Sequence, residues 1–525
     1  MRRPANIRRH LQVTKRGVCY DVGVTRPKHF AGEITVSSRI VDYLSSGLYE
    51  SPAACLKELI NNSYDADASL VEVFVKPDAN RIIIADNGHG ISRSDFERHF
   101  TRISESHKRD DSDLTPRGRR KIGKIGIGFI AANEICDEME IISTKSGSTE
   151  LLRVTIHFDK MREHLSDRRR EGDDIAKADY TGDVEHADND SNFTRIFLKR
   201  VRGEAREILA GARPPRPGAK AKSLYGLSAK SVRKVLAEQS PPSWTEFDEY
   251  SRTLLRVGLN VPVKYHDNWL PARELRRVKD LQEEVVDLNF AVSYDGAELR
   301  KPVVLLPPSG AAGEACFIKR FEYNGDNVAA SGYFYAQHGT IKPEELQGVL
   351  IRIRHAAVGG YNSSFLDFPA SEGSLIQRWI SAEVWADDRL EDAMNIDRRT
   401  LRVAHPAYVE LQRAIHDELR TVISEARRRL YETGSVERRR TKAAVAVSQM
   451  REVVRRDVAP ASAAVAAELE RTLRGAERDS ADKSPFARRL SVAEFYEIVV
   501  DVAREILPPR VFAEFITRLT ERLSR

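Results

Sequence analysis

Three polar clusters, set in a fixed order within apolar segments between residues 51 and 129, narrow the possible folds of this chain more than anything else in it. Ser51-Pro52 marks a helix start, with a hydroxyl cap followed by proline in the first turn. The helix is expected to run to about Tyr64. On it Glu58, Asn62 and Asp65 stand at i, i+4 and i+7, which puts them on one face of the helix. A face with two carboxylates and a carboxamide is costly to bury without polar partners. It is either a solvated surface or the wall of a polar site. VEVFV (71–75) and RIIIAD (81–86) read as strands joined by a PDAN turn. The second strand ends in the second cluster, Asp86-Asn87-Gly88-His89-Gly90. The third cluster runs from Gly118 to Phe129, with Gly123, Gly126 and Gly128 ahead of a helical IAANEIC.

Each cluster has an ordinary reading and a chemical one. Asp86 followed by two glycines could form a plain tight turn. An ionised aspartate also accepts hydrogen bonds and donates none. It therefore suits the exocyclic amine of adenine and rejects the carbonyl that guanine presents there. Gly88 and Gly90 would let the backbone approach a ligand closely. Glycines before a helix expose backbone N–H groups that favour an anion such as phosphate. The spacing at 118–128 is neither a P-loop nor a dinucleotide fingerprint, and no strand leads directly into it.

In this order the three clusters resemble the Bergerat-fold (GHKL) ATPases, the superfamily of gyrase B, the ninety-kilodalton heat-shock chaperones, histidine kinases and MutL. The resemblance covers about residues 35–200. It implies an α/β sandwich with helices on one side of a mixed sheet and ATP held between them. By motif position, it implies that Glu58 orients the attacking water and that Asn62 holds Mg²⁺. Asp86 then reads adenine with Gly90 beside the base, and Asp65 lies near base and sugar. Gly123, Gly126 and Gly128 form the phosphate loop, with Gly88 in the adenine turn. Thr194 in NFTRIFL resembles the late-strand threonine that braces the adenine aspartate, although Phe193 precedes it where the family usually has glycine. The polar stretch 104–122 becomes the ATP lid, with Lys108, Arg109, Arg117, Arg119, Arg120 and Lys121. Lys124, inside the glycine loop, is the residue best placed by sequence to meet the triphosphate.

Histidine kinases match less well, because their ATP domains generally lack a glutamate at the position of Glu58. The segment WISAEVWADDRLEDAMNIDRRTL (379–401) resembles the middle domain of the heat-shock chaperones. That likeness implies that Arg398, with Arg399 as the adjacent alternative, reaches the γ-phosphate from a second domain.

The expected fold class is α+β: a Bergerat-fold ATPase domain, a second α/β transducer-like domain and a helical C-terminus. The expected boundaries are a basic arm at 1–30 and the ATP domain at 31–201, with a charged insertion at 159–192. A charged linker follows at 202–244, then the second domain at 245–425 and the helical region at 426–525. The 525 residues suit about three domains. Four scattered cysteines without metal-type spacing read as buried or free thiols in a reducing compartment. No apolar run approaches a membrane span of about 20 residues, so a cytoplasmic protein without membrane contact is expected.

The function these readings imply is a Mg²⁺-dependent ATPase working as an ATP-driven conformational clamp, homodimeric by the resemblance. The alternative is a nucleotide-regulated switch with little hydrolysis. The partner is a protein client or effector, as for chaperones, or duplex DNA, as for MutL and MORC proteins. A net charge of +6, with Arg2, Arg3, Arg8 and Arg9 and with Arg438, Arg439 and Arg440, permits phosphate contact without requiring it.

Overall fold

The structure is a computed structural model. It describes residues 27–37, 51–76, 80–103, 113–123, 128–145, 147–162, 175–186, 192–211, 221–238, 240–279, 281, 289–308, 315–369, 374–395, 399–432, 445, 447–458, 460, 462–478 and 492–523. The chain divides into two compact units, residues 1–309 with 316–426, and residues 427–525 with 310–315. The architecture is α+β, with two mixed sheets in the first unit.

The first sheet has ten strands in the order β10-β9-β2-β3-β8-β5-β6-β7-β1-β4. In chain order these are β1 (Lys28–Ser37), β2 (Leu70–Lys76), β3 (Arg81–Asp86), β4 (Arg102–Ile103) and β5 (Cys136–Thr144). Then come β6 (Glu150–His157), β7 (Ile175–His186), β8 (Phe193–Val201), β9 (Ala291–Tyr294) and β10 (Ala297–Glu298). Pairing is antiparallel except for β1 with β4 and β2 with β9. Strand periodicity fixes what faces inward. Ile82 and Ile84 of β3 are buried, and Asp86 continues the same face. On β8 the buried row is Thr194, Ile196 and Leu198.

Helix α1 (Pro52–Asp65) lies in the core through Cys55, Leu56, Leu59 and Ile60. Ser51 holds the N-cap position, but its side chain makes no cap bond, and its carbonyl accepts from Ala54 N–H instead. Helix α2 (Arg93–Phe100) starts with a full capping box, Ser92 with Asp95.

The charged stretch 159–192 contains more order than its composition suggests. Its residues 175–186 form β7, paired with both β1 and β6. Its glycine lies opposite an aromatic ring: Gly182 pairs with Phe30, and Tyr180 pairs with Gly32. A Cβ on Gly182 would stand 2.4 Å from the Phe30 ring. The stretch read as a linker carries helices α3 (Gly203–Leu209) and α4 (Ala229–Leu236). Helix α5 (Glu249–Asn260) follows, and then β9, which pairs parallel with β2 and so joins the first sheet.

The second sheet has the order β11-β12-β15-β13-β14. Its strands are β11 (Cys316–Asn324), β12 (Ala329–Gln337), β13 (Gly348–Ile353), β14 (Ala356–Ala357) and β15 (Ile380–Ala386). Helix α6 (Pro406–Ala426) packs along β11 and β12. At the centre of this region, Arg352 and Glu383 form a fully buried ion pair at 2.8 Å, with Tyr265 and Tyr361 also donating to Glu383. In the second unit the described residues form helices α7 (Ala463–Arg478), α8 (Val492–Ile506) and α9 (Pro509–Leu523). Cys55, Cys136 and Cys316 are buried free thiols. Among the described residues no helix is long and apolar enough to cross a membrane.

Candidate functional site

A cavity of about 230 Å³ opens between α1 and the inward face of the first sheet. Asn62, Ser63 and Asp65 line it from α1, with Asp86 from β3, Thr194 and Ile196 from β8, and Gly123 at the far rim. The polar face of α1 is therefore a wall, not a solvated surface. Glu58 is buried on that helix.

Asp86 is a buried carboxylate on the sheet side of the cavity. Ser63 Oγ donates to its Oδ2 at 2.8 Å and Gly88 N–H donates to its Oδ1 at 2.9 Å. Burial raises its pKa to about 6, against the pull of those two bonds. Thr194 is its register partner across β3 and β8. The Thr194 hydroxyl lies 3.1 Å from Ser143 Oγ, and Ser143 in turn accepts from Ile91 N–H at 2.8 Å. The group bonded to the aspartate is thus Ser63, which sequence reasoning missed, while Thr194 supports the wall behind it.

The glycines of the second cluster answer to protein contacts. Gly90 has φ of +78°, and a Cβ there would stand 1.8 Å from the Thr144 carbonyl oxygen. A Cβ on Gly88 would stand 2.7 Å from the Ala66 carbonyl oxygen. Both positions let the Asp86 turn lie against α1 and β5, and Gly90 also lines the cavity.

Asp65, also on the cavity wall, is bonded within the protein. Its two carboxylate oxygens accept from Ile122 and Gly123 N–H, each at 2.7 Å. It thereby fixes the start of the glycine loop. At the other end of the loop, a Cβ on Gly128 would stand 3.2 Å from Glu58 Oε2 and 3.5 Å from Asn62 Nδ2. Glycine there brings the chain against the two residues expected to act on phosphate. Lys124 and Gly126 lie outside the described residues, as do Arg398 and lid residues 104–112. Arg399 is described and exposed.

The described part of the stretch expected to form a lid, residues 113–122, is docked, contrary to a free polar loop. The last carbonyls of a helix lack partners within it, and lid arginines reach those at the end of α1 and just past it. Arg119 donates to the carbonyls of Tyr64 at 3.4 Å, Ala68 at 2.6 Å and Asn289 at 3.0 Å. Its guanidinium lies 5.0 Å from the centre of the Tyr64 ring. Arg117 donates to the Asp67 carbonyl at 3.2 Å. The Asp67 carboxylate accepts from Thr115 Oγ1 and Arg117 N–H. Arg120 reaches Asp388 at 3.2 Å. Lys121 and Lys145 line the cavity, the latter paired with Asp95 at 2.8 Å.

The arrangement is a buried carboxylate on the sheet side of the cavity, a carboxamide on its helix wall, a buried glutamate one turn earlier on that helix, and glycine backbone at Gly123 and Gly128 beside them. Residues 49–178 match the family described as "Histidine kinase-, DNA gyrase B-, and HSP90-like ATPase". The chain carries a GHKL-superfamily domain of HSP90-like and MutL-like kinship. It is 37% identical over 115 residues to a Herpetosiphon aurantiacus protein described as type II restriction enzyme HgiDII, covering 22% of this chain and 18% of that one. It is 29% identical over 144 residues to the chaperone protein HtpG of Bacillus subtilis, covering 23% and 22%. It is 31% identical over 136 residues to the DNA mismatch repair protein MutL of Ehrlichia chaffeensis, covering 26% and 20%. The chain thus matches about a fifth of the length of each of these relatives.

Proposed function

We propose that this chain binds ATP in the cavity beside α1 and hydrolyses it, using turnover to drive a conformational clamp. The observation that carries the reading is that Asp86 and Asn62 line one cavity while Glu58 and Asn62 stand against Gly128. The Asp86 carboxylate accepts the adenine amine. The glycine loop, with Lys124, offers N–H groups and a cation to the phosphates. Glu58 orients a water and takes its proton as the water oxygen bonds to the γ-phosphorus and the bridging bond to the β-phosphate oxygen breaks, leaving ADP and phosphate. The Asn62 carboxamide oxygen is a hard donor suited to Mg²⁺. It belongs to the same cavity wall as Asp65, 3.8 Å from where a Cβ on Gly123 would stand. A bound Mg²⁺ would neutralise phosphate charge there. Arg398 is assigned the γ-phosphate contact from the second region, on its likeness to the chaperone middle domain.

The test is Glu58→Ala. ADP affinity is expected to stay within about threefold of wild type, while phosphate release in Mg²⁺ falls by about 100-fold or more. Turnover at the wild-type rate would remove Glu58 from the mechanism. Wild-type protein that binds ATP without releasing phosphate would instead support a nucleotide-regulated switch.

We assign the clamp a homodimeric form in the cytoplasm, acting on a protein client or on duplex DNA. Filter binding to a duplex across a salt series separates the two partners. Binding through phosphates weakens steeply with salt, and no salt-dependent binding leaves the protein client.

A further inference from the structure

The turn between β13 and β14 reaches the nucleotide site from the second sheet. Arg354 and His355 in this turn both have left-handed backbone, with φ of 50° and 69°. Such a conformation is costly for residues other than glycine and needs surrounding contacts to hold it. Arg354 supplies them, and it is buried. Its Nε donates to Asp388 Oδ1 at 2.7 Å, and its Nη2 lies 3.0 Å from Glu391 Oε2. Its remaining arm, Nη1, donates to the carbonyl of Lys121.

Lys121 immediately precedes Ile122 and Gly123, whose amides are held by Asp65. The start of the glycine loop is therefore gripped from two sides, by α1 through Asp65 and by the second sheet through Arg354. Asp388 strengthens the second grip, because its other oxygen accepts from Arg120 at 3.2 Å. Strand β14, which follows the turn, is tied to α1 as well: Lys57 Nζ, one residue from Glu58, donates to the Ala357 carbonyl at 3.3 Å.

We infer that Arg354 is a positioning residue for the glycine loop, through which the second sheet sets the geometry of the nucleotide site. The guanidinium is suited to the task because its planar fork reaches two carboxylates and a carbonyl at once. A lysine in its place keeps the charge and loses the fork. The turnover arm of the inference rests on the ATPase reading above, and the exchange arm does not.

The experiment uses the full-length chain with Arg354→Lys, Arg354→Met and Asp388→Asn. Amide hydrogen exchange is measured without nucleotide, and ADP affinity and phosphate release are measured separately. In Arg354→Lys, exchange at 113–123 is expected to rise about tenfold while β11 and β12 exchange as in wild type. The kcat is expected to fall by about tenfold or more, with ADP affinity within about threefold. Asp388→Asn should move both readouts in the same direction by a smaller factor, and it decides the matter if Arg354→Met fails to fold. Unchanged exchange at 113–123 in both Arg354→Lys and Asp388→Asn overturns the inference. So does exchange that rises equally throughout the second sheet, since that marks general loosening. A wild-type protein without turnover sinks the ATPase reading alone, and the exchange result still decides the role of Arg354.

Discussion

Replacing Asp86 with asparagine separates what the residue costs the fold from what it gives the ligand. The carboxyl rises from 3.8 to about 6, chiefly by desolvation. Two units at about 1.36 kcal/mol each make a penalty of about 3 kcal/mol on holding the charge inside. The sign follows from proton binding. Between pH of about 4 and 6 the folded state keeps a proton that the unfolded state has lost, so wild-type stability falls as pH rises through that window. The substituted carboxamide would not titrate. Its oxygen can still accept from Gly88 N–H, and its NH₂ can donate to Ser63 Oγ, which also contacts the Leu59 carbonyl. The baseline offset should therefore stay within about 1 kcal/mol. Asp86→Asn is expected to gain on wild type by about 2 kcal/mol between pH 4.5 and pH 8, read by urea unfolding at each pH. The same variant offers a donor to the adenine amine, and ADP affinity should fall by about 100-fold or more. In wild type, ADP affinity should weaken as pH drops below about 6, where Asp86 protonates. Stability curves that stay parallel for the two proteins from pH 4.5 to 8 would refute the assignment of a buried, costly charge.

Gly90→Ala should lose about 3 kcal/mol or more, because its Cβ would meet the Thr144 carbonyl at 1.8 Å in a backbone of positive φ. A thermal melt checks this, and a Tm within a degree or two of wild type would contradict the geometry. Glu383→Gln leaves Arg352 charged in a fully buried setting. A loss of about 3–5 kcal/mol in urea unfolding is expected, and a neutral result would mean that Arg352 finds another partner.

What was legible in the sequence is what depends on near neighbours. RIIIAD and FTRIFLKRV form strands at the positions their alternation predicts, and the buried row of β3 carries Asp86 inward with Ile82 and Ile84. The spacing of Glu58, Asn62 and Asp65 likewise survives as one helix face. The segment 175–186 was hidden because its pattern is written in small residues. Gly182 contributes to a sheet once Phe30 of β1 lies opposite, about 150 positions earlier in the chain. Strand β9 gains its partner β2 across about 220 positions, which no local window contains.

The polar residues divide along the same line. A residue type states what a side chain can donate or accept, but not where its partner lies. The lid arginines show the consequence. Their run of positive charge suggests phosphate, yet Arg117 and Arg119 spend their donors on carbonyls at the end of α1 and beyond. Asp67 and Ala68, which carry two of those carbonyls, are buried by the same packing that builds the cavity. Leaving such groups unpaired would cost more than a salt-screened contact with a mobile triphosphate returns. Asp65 follows the same logic in reverse, accepting from the amides of Ile122 and Gly123. The cavity keeps its shape because residues that look like ligand contacts are used to hold the loop. If the cavity takes a triphosphate, fewer groups remain to face its charge, and the start of the glycine loop would depend on what grips Lys121 from the second sheet.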